Sequence, residues 1–214
     1  MKVSIIDYIS ETANRYNIIA EDFYRRKGKL RKIEIFYLDK FISYLSGDKV
    51  LDLGCGTGKD TAYLLSHGLD VYGLDLSSEM LKLAERHEPK LKNRLYKMDM
   101  RDMEFDEIFD GIWANSSLVH FNPNDRTKML KKCYFALKPQ GILHVCHQNF
   151  WNPKRFLRAV KYRKKYYFFD GRHFFPEDIF GLKKQIKNAG FDIIEIEFEH
   201  NIPISSWLRA YAKK

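Results

Sequence analysis

Residues 50–58 combine an acid with three glycines whose spacing indicates a ligand-binding turn. The run Val-Leu-Asp-Leu-Gly-Cys-Gly-Thr-Gly ends an apolar strand and places Asp52 two residues ahead of Gly54, with Gly56 and Gly58 at alternate positions after it. Glycine tolerates backbone dihedrals that other residues avoid, and it lets a ligand approach the main chain. The pattern therefore predicts that a flat or extended ligand lies against this turn.

The spacing separates this turn from two other ligand-binding loops. A dinucleotide fingerprint has two residues between its second and third glycines, whereas only Thr57 separates Gly56 from Gly58. A phosphate-cradling loop would need glycine at position 53 and Ser or Thr at position 60, where the chain has Leu53 and Asp60. For this motif alone, another nucleotide or a purely structural turn stays an alternative.

The turn resembles motif I of the class I S-adenosylmethionine-dependent methyltransferases, and four further motifs follow in that family's order. They are Gly-Leu-Asp-Leu-Ser-Ser-Glu-Met-Leu at 73–81, Tyr-Lys-Met-Asp-Met at 96–100, the strand-four segment at 109–121, and Ala-Leu-Lys-Pro-Gln-Gly-Ile-Leu-His-Val at 136–145. The last departs from the family because Gln140 stands where a second glycine is common. The resemblance covers roughly residues 30–212.

The resemblance implies roles for the acids at the strand ends. Asp75 would accept hydrogen bonds from both ribose hydroxyls, and Asn115 would lie beneath the cofactor. Asp99 would lie near the adenine amino group, with Met100 beside the ring. The alternative for Asp75 and Asp99 is that they cap helices or are solvated. The residues implied to bind S-adenosylmethionine, or its product S-adenosylhomocysteine, are Tyr16, Asp52, Gly54, Cys55, Gly56, Thr57, Gly58, Asp75, Leu76, Met80, Asp99, Met100 and Asn115.

The elements that position these residues can be placed from the hydrophobic pattern. It predicts helices between the first five of seven strands, which lie near 48–53, 69–75, 93–98, 108–114, 141–147, 191–199 and 205–212. Ser77, Pro123 and Pro176 predict helix starts. Alternating strands and helices indicate an α/β fold with a parallel sheet. The resemblance implies a doubly wound, seven-stranded sheet in the order 3-2-1-4-5-7-6, with strand seven antiparallel, helices on both faces and an N-terminal helical cap.

Length and composition indicate one cytoplasmic domain of 214 residues. We expect a helical cap at 1–46, a cofactor-binding core at 47–147, a lid at 148–175, and a last helix with strands six and seven at 176–214. Three cysteines without metal-type spacing fit a reducing compartment and predict no metal site. No run is long and apolar enough for a membrane span, and the N-terminus lacks signal-peptide features. Oligomeric state is not predicted.

The predicted lid is unusual in charge and in aromatic content. Residues 148–175 contain eight Lys or Arg, one acid and ten aromatics, and so carry seven of the nine net positive charges. Such a segment suits either a lid over a small, anionic molecule or a single-stranded nucleic acid surface. The lid is favoured, because the strand-four exit reads Asn-Ser-Ser-Leu rather than the Asn/Asp-Pro-Pro-aromatic sequence of amino-methylating nucleic acid enzymes. In the cap, Tyr8 and Tyr16 are candidates to close over the methionine end of the ligand.

The implied chemistry is transfer of a methyl group to a small molecule by direct displacement. His120, at the strand-four exit, is the candidate catalytic base for acceptors that lose a proton, and a structural role in the Asn122-Pro123 turn is its alternative. His147 and His173 are further candidates. Other functions kept open are RNA or protein methylation through residues 148–175, nicotinamide-dependent oxidoreduction, and cofactor binding without turnover.

Overall fold

The computed structural model describes residues 7–151, 166–199 and 206–214. Within those ranges the chain folds into helices packed on both faces of a central sheet. The helices are α1 Tyr8–Lys27, α2 Lys32–Tyr44, α3 Lys59–Ser66, α4 Ser78–His87, α5 Pro123–Ala136 and α6 Ile179–Asn188. Short 3-10 turns lie at Pro89–Leu91, Met100–Asp102 and Leu118–His120.

Seven strands form the central sheet, and two more form a separate hairpin. The strands are β1 Lys49–Leu53, β2 Asp70–Asp75, β3 Leu95–Lys97, β4 Phe109–Asn115, β5 Leu137–Gln148, β6 Tyr167–Phe169, β7 Arg172–Phe174, β8 Asp192–Phe198 and β9 Trp207–Lys213. The sheet order is β3-β2-β1-β4-β5-β9-β8, with β9 antiparallel to both neighbours. The predicted order is confirmed for the sheet strands, and the β6–β7 hairpin is the difference from it.

Strand alternation explains why the sheet is covered on both faces. Leu51 and Leu53 of β1 pack into a core cluster with α5 and α6, whereas Val50 packs into a cluster on the other face with α2 and α3. Both clusters are closed to solvent, and Leu51, Leu53 and Val50 are fully buried. Strands buried on both faces are typical of a parallel sheet with crossover helices.

Two local predictions are wrong. No α-helix connects β3 to β4, because residues 98–108 hold five acids without an apolar stripe and form only the Met100–Asp102 turn. The last helix begins at Ile179 rather than at Pro176, with Asp178 as its N-cap. Glu177 pairs instead with β5, since its N–H donates to the carbonyl of Gln148 and its carbonyl accepts from Phe150, which keeps 176–177 extended.

Other helix signals are confirmed. Ser77 caps α4 by accepting from the Met80 N–H, and Pro123 is the first residue of α5 behind the Asn122 cap. No described helix is long and apolar enough to cross a membrane. The two helices of the predicted cap differ in role, because α2 packs on a sheet face whereas α1 lies against α4 and β7 at the carboxyl ends of the strands.

Candidate functional site

Two adjoining cavities lie where the glycine turn meets α1 and the carboxyl ends of β1, β2 and β4. The first measures about 720 Å³ up to its open mouth, and the second about 1120 Å³ measured the same way. Tyr16, Phe23, Gly54, Gly56 and Ser116 line both. The glycine turn therefore lies at the boundary between the two cavities. We call the first the inner cavity and the second the outer cavity.

Most residues implied by the sequence come together around these cavities. The inner cavity is lined by Tyr16, Gly54, Gly56, Asp75, Leu76, Met80, Asp99, Met100 and His120. The outer cavity is lined by Tyr16, Asp52, Gly54, Cys55, Gly56, Thr57 and Asn115. Tyr8, His147, His173 and Gly58 line neither cavity. The side chain of Tyr8 is instead turned to α5, where its hydroxyl donates to Asp125 at 2.6 Å.

Gly58 is required by packing rather than by contact with a ligand. It is the N-cap of α3 with φ 73°, and a Cβ there would lie 2.7 Å from Cδ1 of Leu91 and 2.8 Å from Cβ of Ala84. Both the left-handed backbone and the close approach of α4 therefore demand glycine.

Asp75 is held rigidly at the end of β2. One carboxylate oxygen accepts from the Gly56 N–H at 2.8 Å and the other accepts from the Ser77 N–H at 2.8 Å. Burial raises the pKa of Asp75 above its usual range, and the N–H groups of Ser77 and Gly56 oppose that shift. A carboxylate offers about four acceptor positions, so these two N–H groups do not saturate Asp75, which lines the inner cavity.

Asp99 is engaged differently. Its carboxylate accepts from the Arg101 N–H at 2.8 Å and from the Arg101 guanidinium at 2.9 and 2.6 Å. Arg101 also bonds Asp7 at the N-cap of α1, at 2.9 and 2.7 Å. Asp99 thus caps the Met100–Asp102 turn and ties it to α1, while it also lines the inner cavity.

Two buried acids lie side by side beneath the outer cavity, and the second was not singled out by the sequence. Asp52 accepts from the Thr61 hydroxyl at 2.6 Å, and its pKa is raised by burial and then by the charge of Asp60. One oxygen of Asp60 accepts from Trp113 Nε1 at 2.9 Å and Asn115 Nδ2 at 2.7 Å, whereas the other is buried and has no partner among the described residues. A cationic or N–H-bearing ligand group would satisfy that oxygen.

His120 is a neutral base that faces Tyr16. Its Nδ1 lies 2.6 Å from the carbonyl oxygen of His173, so Nδ1 carries the proton and donates. Its Nε2 therefore accepts from the Tyr16 hydroxyl at 3.2 Å. Burial lowers the pKa of His120 to about 4, with the nearby Arg172 charge adding to the shift. The Nε2 lone pair of the predicted base thus accepts from a residue that lines both cavities.

Because the folded pKa of His120 lies below the ordinary 6.5, the protein should lose stability in mild acid. Below pH 6.5 the unfolded chain binds a proton that folded His120 rejects. The free energy of unfolding should therefore fall as pH drops toward 4, by up to about 1.4 kcal/mol per pH unit from this group. In His120→Asn, whose amide can still donate to His173, that part of the slope should vanish in urea titrations between pH 4 and 7. Parallel curves for both proteins would contradict it.

The β6–β7 hairpin supplies site residues that the sequence analysis did not predict. Asp170 and Gly171 have φ 51° and 73°, and Asp-Gly between aromatic runs is a hairpin signal that the sequence carries. Arg15 of α1 forms an ion pair with Asp170, and the His173 N–H donates to Thr12 Oγ1 at 3.1 Å. This docking on α1 places Arg172 and Phe174 in the wall of the outer cavity.

The rest of the predicted lid is only partly described. Of its eight basic residues only Arg172 lies within the described ranges, and positions 154, 155, 158, 161, 163, 164 and 165 lie outside them. Further residues of the outer cavity that were not anticipated are Lys27, Arg31, Glu34, Lys59, Gln148, Trp207 and Arg209. They come from five separated elements, so no sequence motif unites them.

Gly56 offers a direct test of whether the turn cradles a ligand. Its φ is 54°, and a Cβ there would meet nothing within 4 Å, so the alanine side chain would project into space that the two cavities share. We expect Gly56→Ala to lower stability by about 1–2 kcal/mol from backbone strain and also to abolish ligand binding here. Gly68→Ala is the matched control, since Gly68 has φ 83° and equally open surroundings but lines neither cavity. Equal binding by the two variants would contradict the cradle.

Comparison with known proteins identifies the central part of the chain. Residues 50–141 match the family model described as methyltransferase domain. The match covers less than half of the chain and makes these residues similar to a methyltransferase domain. The family resemblance predicted from the sequence is thereby confirmed, and the matched part contains β1 to β4 and the glycine turn.

Two relatives show how far the similarity of the methyltransferase domain extends. The phosphoethanolamine N-methyltransferase of Plasmodium falciparum is 30% identical over 141 residues, which are 64% of this chain and 52% of that protein. The ubiquinone biosynthesis O-methyltransferase of Coxiella burnetii is 30% identical over 142 residues, 62% of this chain and 59% of that protein. The chain therefore spans between half and three fifths of these relatives.

Solved structures share the fold of the methyltransferase domain. The 1,6-didemethyltoxoflavin-N1-methyltransferase of Burkholderia thailandensis, solved with its substrate and S-adenosylhomocysteine, has TM-score 0.75 at 20% identity over 97% of this chain and 89% of that one. The cyclase SpnF has TM-score 0.69 at 15% identity over 94% of each chain. Since a cyclase shares this fold, the reaction has to be argued from the site.

Proposed function

We propose that this protein is an S-adenosylmethionine-dependent methyltransferase that methylates a small molecule. The observation that carries the proposal is Asp75, whose carboxylate is fixed by the Gly56 and Ser77 N–H groups and lines the inner cavity. A rigid carboxylate at the end of β2 suits the two hydroxyls of a ribose. The relatives named above, whose names include N- and O-methyltransferases, support the same reaction class.

The residues present fit this cofactor. The apolar side chains of Leu76, Met80 and Met100 in the inner cavity would contact the adenine, and Asp75 would hold the ribose. Gly54 and Gly56 leave room for the methionine chain, and the unpartnered oxygen of Asp60 would accept from its ammonium group. When bound, the sulfonium supplies an electrophilic methyl group.

The chain itself then has to position an acceptor in the outer cavity and exclude water. Holding the reactants in line can lower the activation barrier by about 7–11 kcal/mol. For an acceptor that loses a proton, Nε2 of His120 is the proton acceptor, reached through or beside the Tyr16 hydroxyl. With a pKa of about 4 the imidazole is unprotonated at neutral pH, so it is ready to accept but is a weak base.

Calorimetric titration with S-adenosylmethionine, S-adenosylhomocysteine and NADH tests the proposal. We expect the first two to bind and NADH not to bind. Binding of NADH alone would instead support the oxidoreductase alternative, and failure of all three would leave the glycine turn structural.

Turnover needs a second experiment, because cofactor binding alone also fits a regulator. Formation of S-adenosylhomocysteine should be measured with panels of small aromatic acids, phenols, amines and RNA. Stimulation by a small molecule supports the proposal, whereas stimulation by RNA alone would support the nucleic acid alternative. Tight cofactor binding without any active acceptor would favour the regulator.

A further inference from the structure

Two nearly buried arginines line the outer cavity with hydrogen-bonding capacity to spare. Arg209, on β9, is 2% exposed, and its Nε and Nη1 have no hydrogen-bond partner among the residues that the structure describes. The Arg172 side chain, on β7, is 12% exposed, and its Nε likewise has no partner in the described part of the chain. Buried N–H groups are almost always paired in folded proteins, so these two guanidinium groups in the cavity wall keep unused donors, which makes them candidates to pair with an anion.

The existing contacts of Arg209 do not satisfy these groups. Its Nη2 donates to Glu199 at 2.8 Å, and its guanidinium carbon lies 4.0 Å from the centroid of the Tyr37 ring. An aromatic ring that faces a guanidinium stabilises its charge but leaves the in-plane N–H groups free to donate elsewhere. The Glu199 pair therefore neutralises Arg209 without using its Nε and Nη1.

Arg172 is arranged in a similar way. Its guanidinium carbon lies 5.1 Å from the centroid of the Tyr16 ring and 5.4 Å from that of Phe174. Its Nη1 donates to the Tyr16 hydroxyl at 3.4 Å, and its Nη2 lies 3.6 Å from Asp170, which is shared with Arg15. The two arginines reach the cavity from different elements, one from the sheet and one from the hairpin docked on α1.

Beyond Asp52 and Asp60, the two acids at the glycine turn, the remaining wall of the outer cavity is mostly cationic and aromatic. Lys27, Arg31 and Lys59 line it as well, and the only carboxylate near its mouth that pairs with them is Glu34, which bonds Lys59 at 2.8 Å and Arg31 at 3.2 Å among the described residues. Phe23, Phe174 and Trp207 supply flat apolar surface. An enclosed space of this composition suits a flat molecule that carries negative charge.

We infer that the methyl acceptor is a small aromatic or heteroaromatic molecule bearing an oxyanion, a carboxylate or a phosphate, which Arg209 and Arg172 bind in the outer cavity. This inference rests on the proposed function, because it assigns the inner cavity and the glycine-turn end of the outer cavity, with Asp52 and Asp60, to the cofactor. The aromatic ring packs against Phe174 and Phe23 while the oxyanion pairs with the guanidinium groups of the two arginines. The same arginines thereby orient the acceptor relative to the glycine turn.

The test titrates protein saturated with S-adenosylhomocysteine with benzoate, phenyl phosphate and the uncharged benzamide. We expect benzoate or phenyl phosphate to bind at least about tenfold more tightly than benzamide, a difference of about 1.4 kcal/mol. Which of the two anions binds more tightly identifies the oxyanion as carboxylate or phosphate. Equal binding of benzamide, or no binding of either anion to the cofactor-saturated protein, overturns the inference while the proposed function stands.

Variants locate the binding group. Arg209→Lys keeps a cation beside Glu199 but loses the guanidinium fork, and Arg172→Gln removes the hairpin charge. Each should weaken the preferred anion at least about tenfold and leave S-adenosylhomocysteine affinity within about threefold. Arg86→Gln is the matched control, because Arg86 also pairs with a glutamate, Glu21, but its side chain is 61% exposed and lines neither cavity.

The outcomes separate the inference from the function it rests on. A loss of about tenfold or more in S-adenosylhomocysteine affinity in Arg209→Lys would show that the arginine holds the cofactor's own carboxylate, which overturns the inference alone. Absence of S-adenosylhomocysteine binding to the wild-type protein overturns the proposed function and the inference together. If Arg209→Lys fails to fold, unchanged anion affinity in Arg172→Gln is the result that contradicts the two-arginine site.

Discussion

Asp75→Ala should abolish binding of S-adenosylmethionine and S-adenosylhomocysteine. The substitution removes the carboxylate that lines the inner cavity, and it also frees the Gly56 N–H that the carboxylate now holds at 2.8 Å. Loss of two charge-assisted hydrogen bonds corresponds to a weakening of at least about 100-fold. Isothermal titration calorimetry measures the change directly.

Asp70 provides the control for Asp75 on the same strand. It begins β2, whereas Asp75 ends it, and its partner is Arg94 at 2.6 Å, outside both cavities. Asp70→Ala should therefore leave cofactor affinity unchanged within about twofold, since exposed ion pairs contribute little. Equal losses in the two variants would mean that β2 is generally disturbed and that Asp75 has no specific role.

Arg126→Leu should destabilise the protein by about 3–5 kcal/mol. Arg126 is fully buried, and its guanidinium donates to the carbonyls of Phe121 and Phe175 at 3.0 and 2.8 Å. It also donates to Gln185 at 3.2 Å and lies 3.5 Å from Glu177. Its removal leaves the two carbonyls without this donor and takes away the positive charge beside the buried Glu177 carboxylate, which keeps its hydrogen bonds from Gln185 and the Asp178 N–H. Urea unfolding monitored by circular dichroism gives the loss.

Two comparisons sharpen the Arg126 experiment. Lys128→Leu changes a cation on the same helix whose side chain is 72% exposed, and it should alter stability by less than about 0.5 kcal/mol. Adding Glu177→Gln to Arg126→Leu should recover part of the lost stability, because it neutralises the buried carboxylate that has lost its counter-charge. A loss below about 1 kcal/mol in Arg126→Leu would show that the guanidinium is not needed to join α5 to the chain after β7.

Most of the fold could be predicted from the strand and helix periodicity of the sequence. The seven sheet strands, the Ser77 cap and the Pro123 start depend on local residue patterns, and each formed near the predicted position. The start of α6 was misplaced because Glu177 bonds to β5, a contact between residues about thirty positions apart. The Met100–Asp102 turn was expected to be a helix because strand alternation was extended where no apolar stripe exists.

The candidate site likewise has one part that could be predicted from the sequence and one part that could not. Asp52, the glycines and Asp75 lie in motifs that are continuous in sequence, so the binding region around the glycine turn followed from their order along the chain. The lone pair of His120 could not be assigned from sequence, because it depends on the His173 carbonyl fifty-three residues away. Arg172 and Arg209 come from elements that meet only after the hairpin docks on α1 and β9 inserts beside β5.

The sequence by itself thus determined the sheet, the glycine turn and the acids at its strand ends, since short-range backbone preferences and hydrophobic alternation set them. Only the tertiary structure decided which protons and charges face the cavities. Those depend on burial and on partners from distant segments, which lower the pKa of His120, raise that of Asp52 and leave Arg209 with unpaired N–H groups. Desolvation is a property of the packed molecule, and no local pattern encodes it.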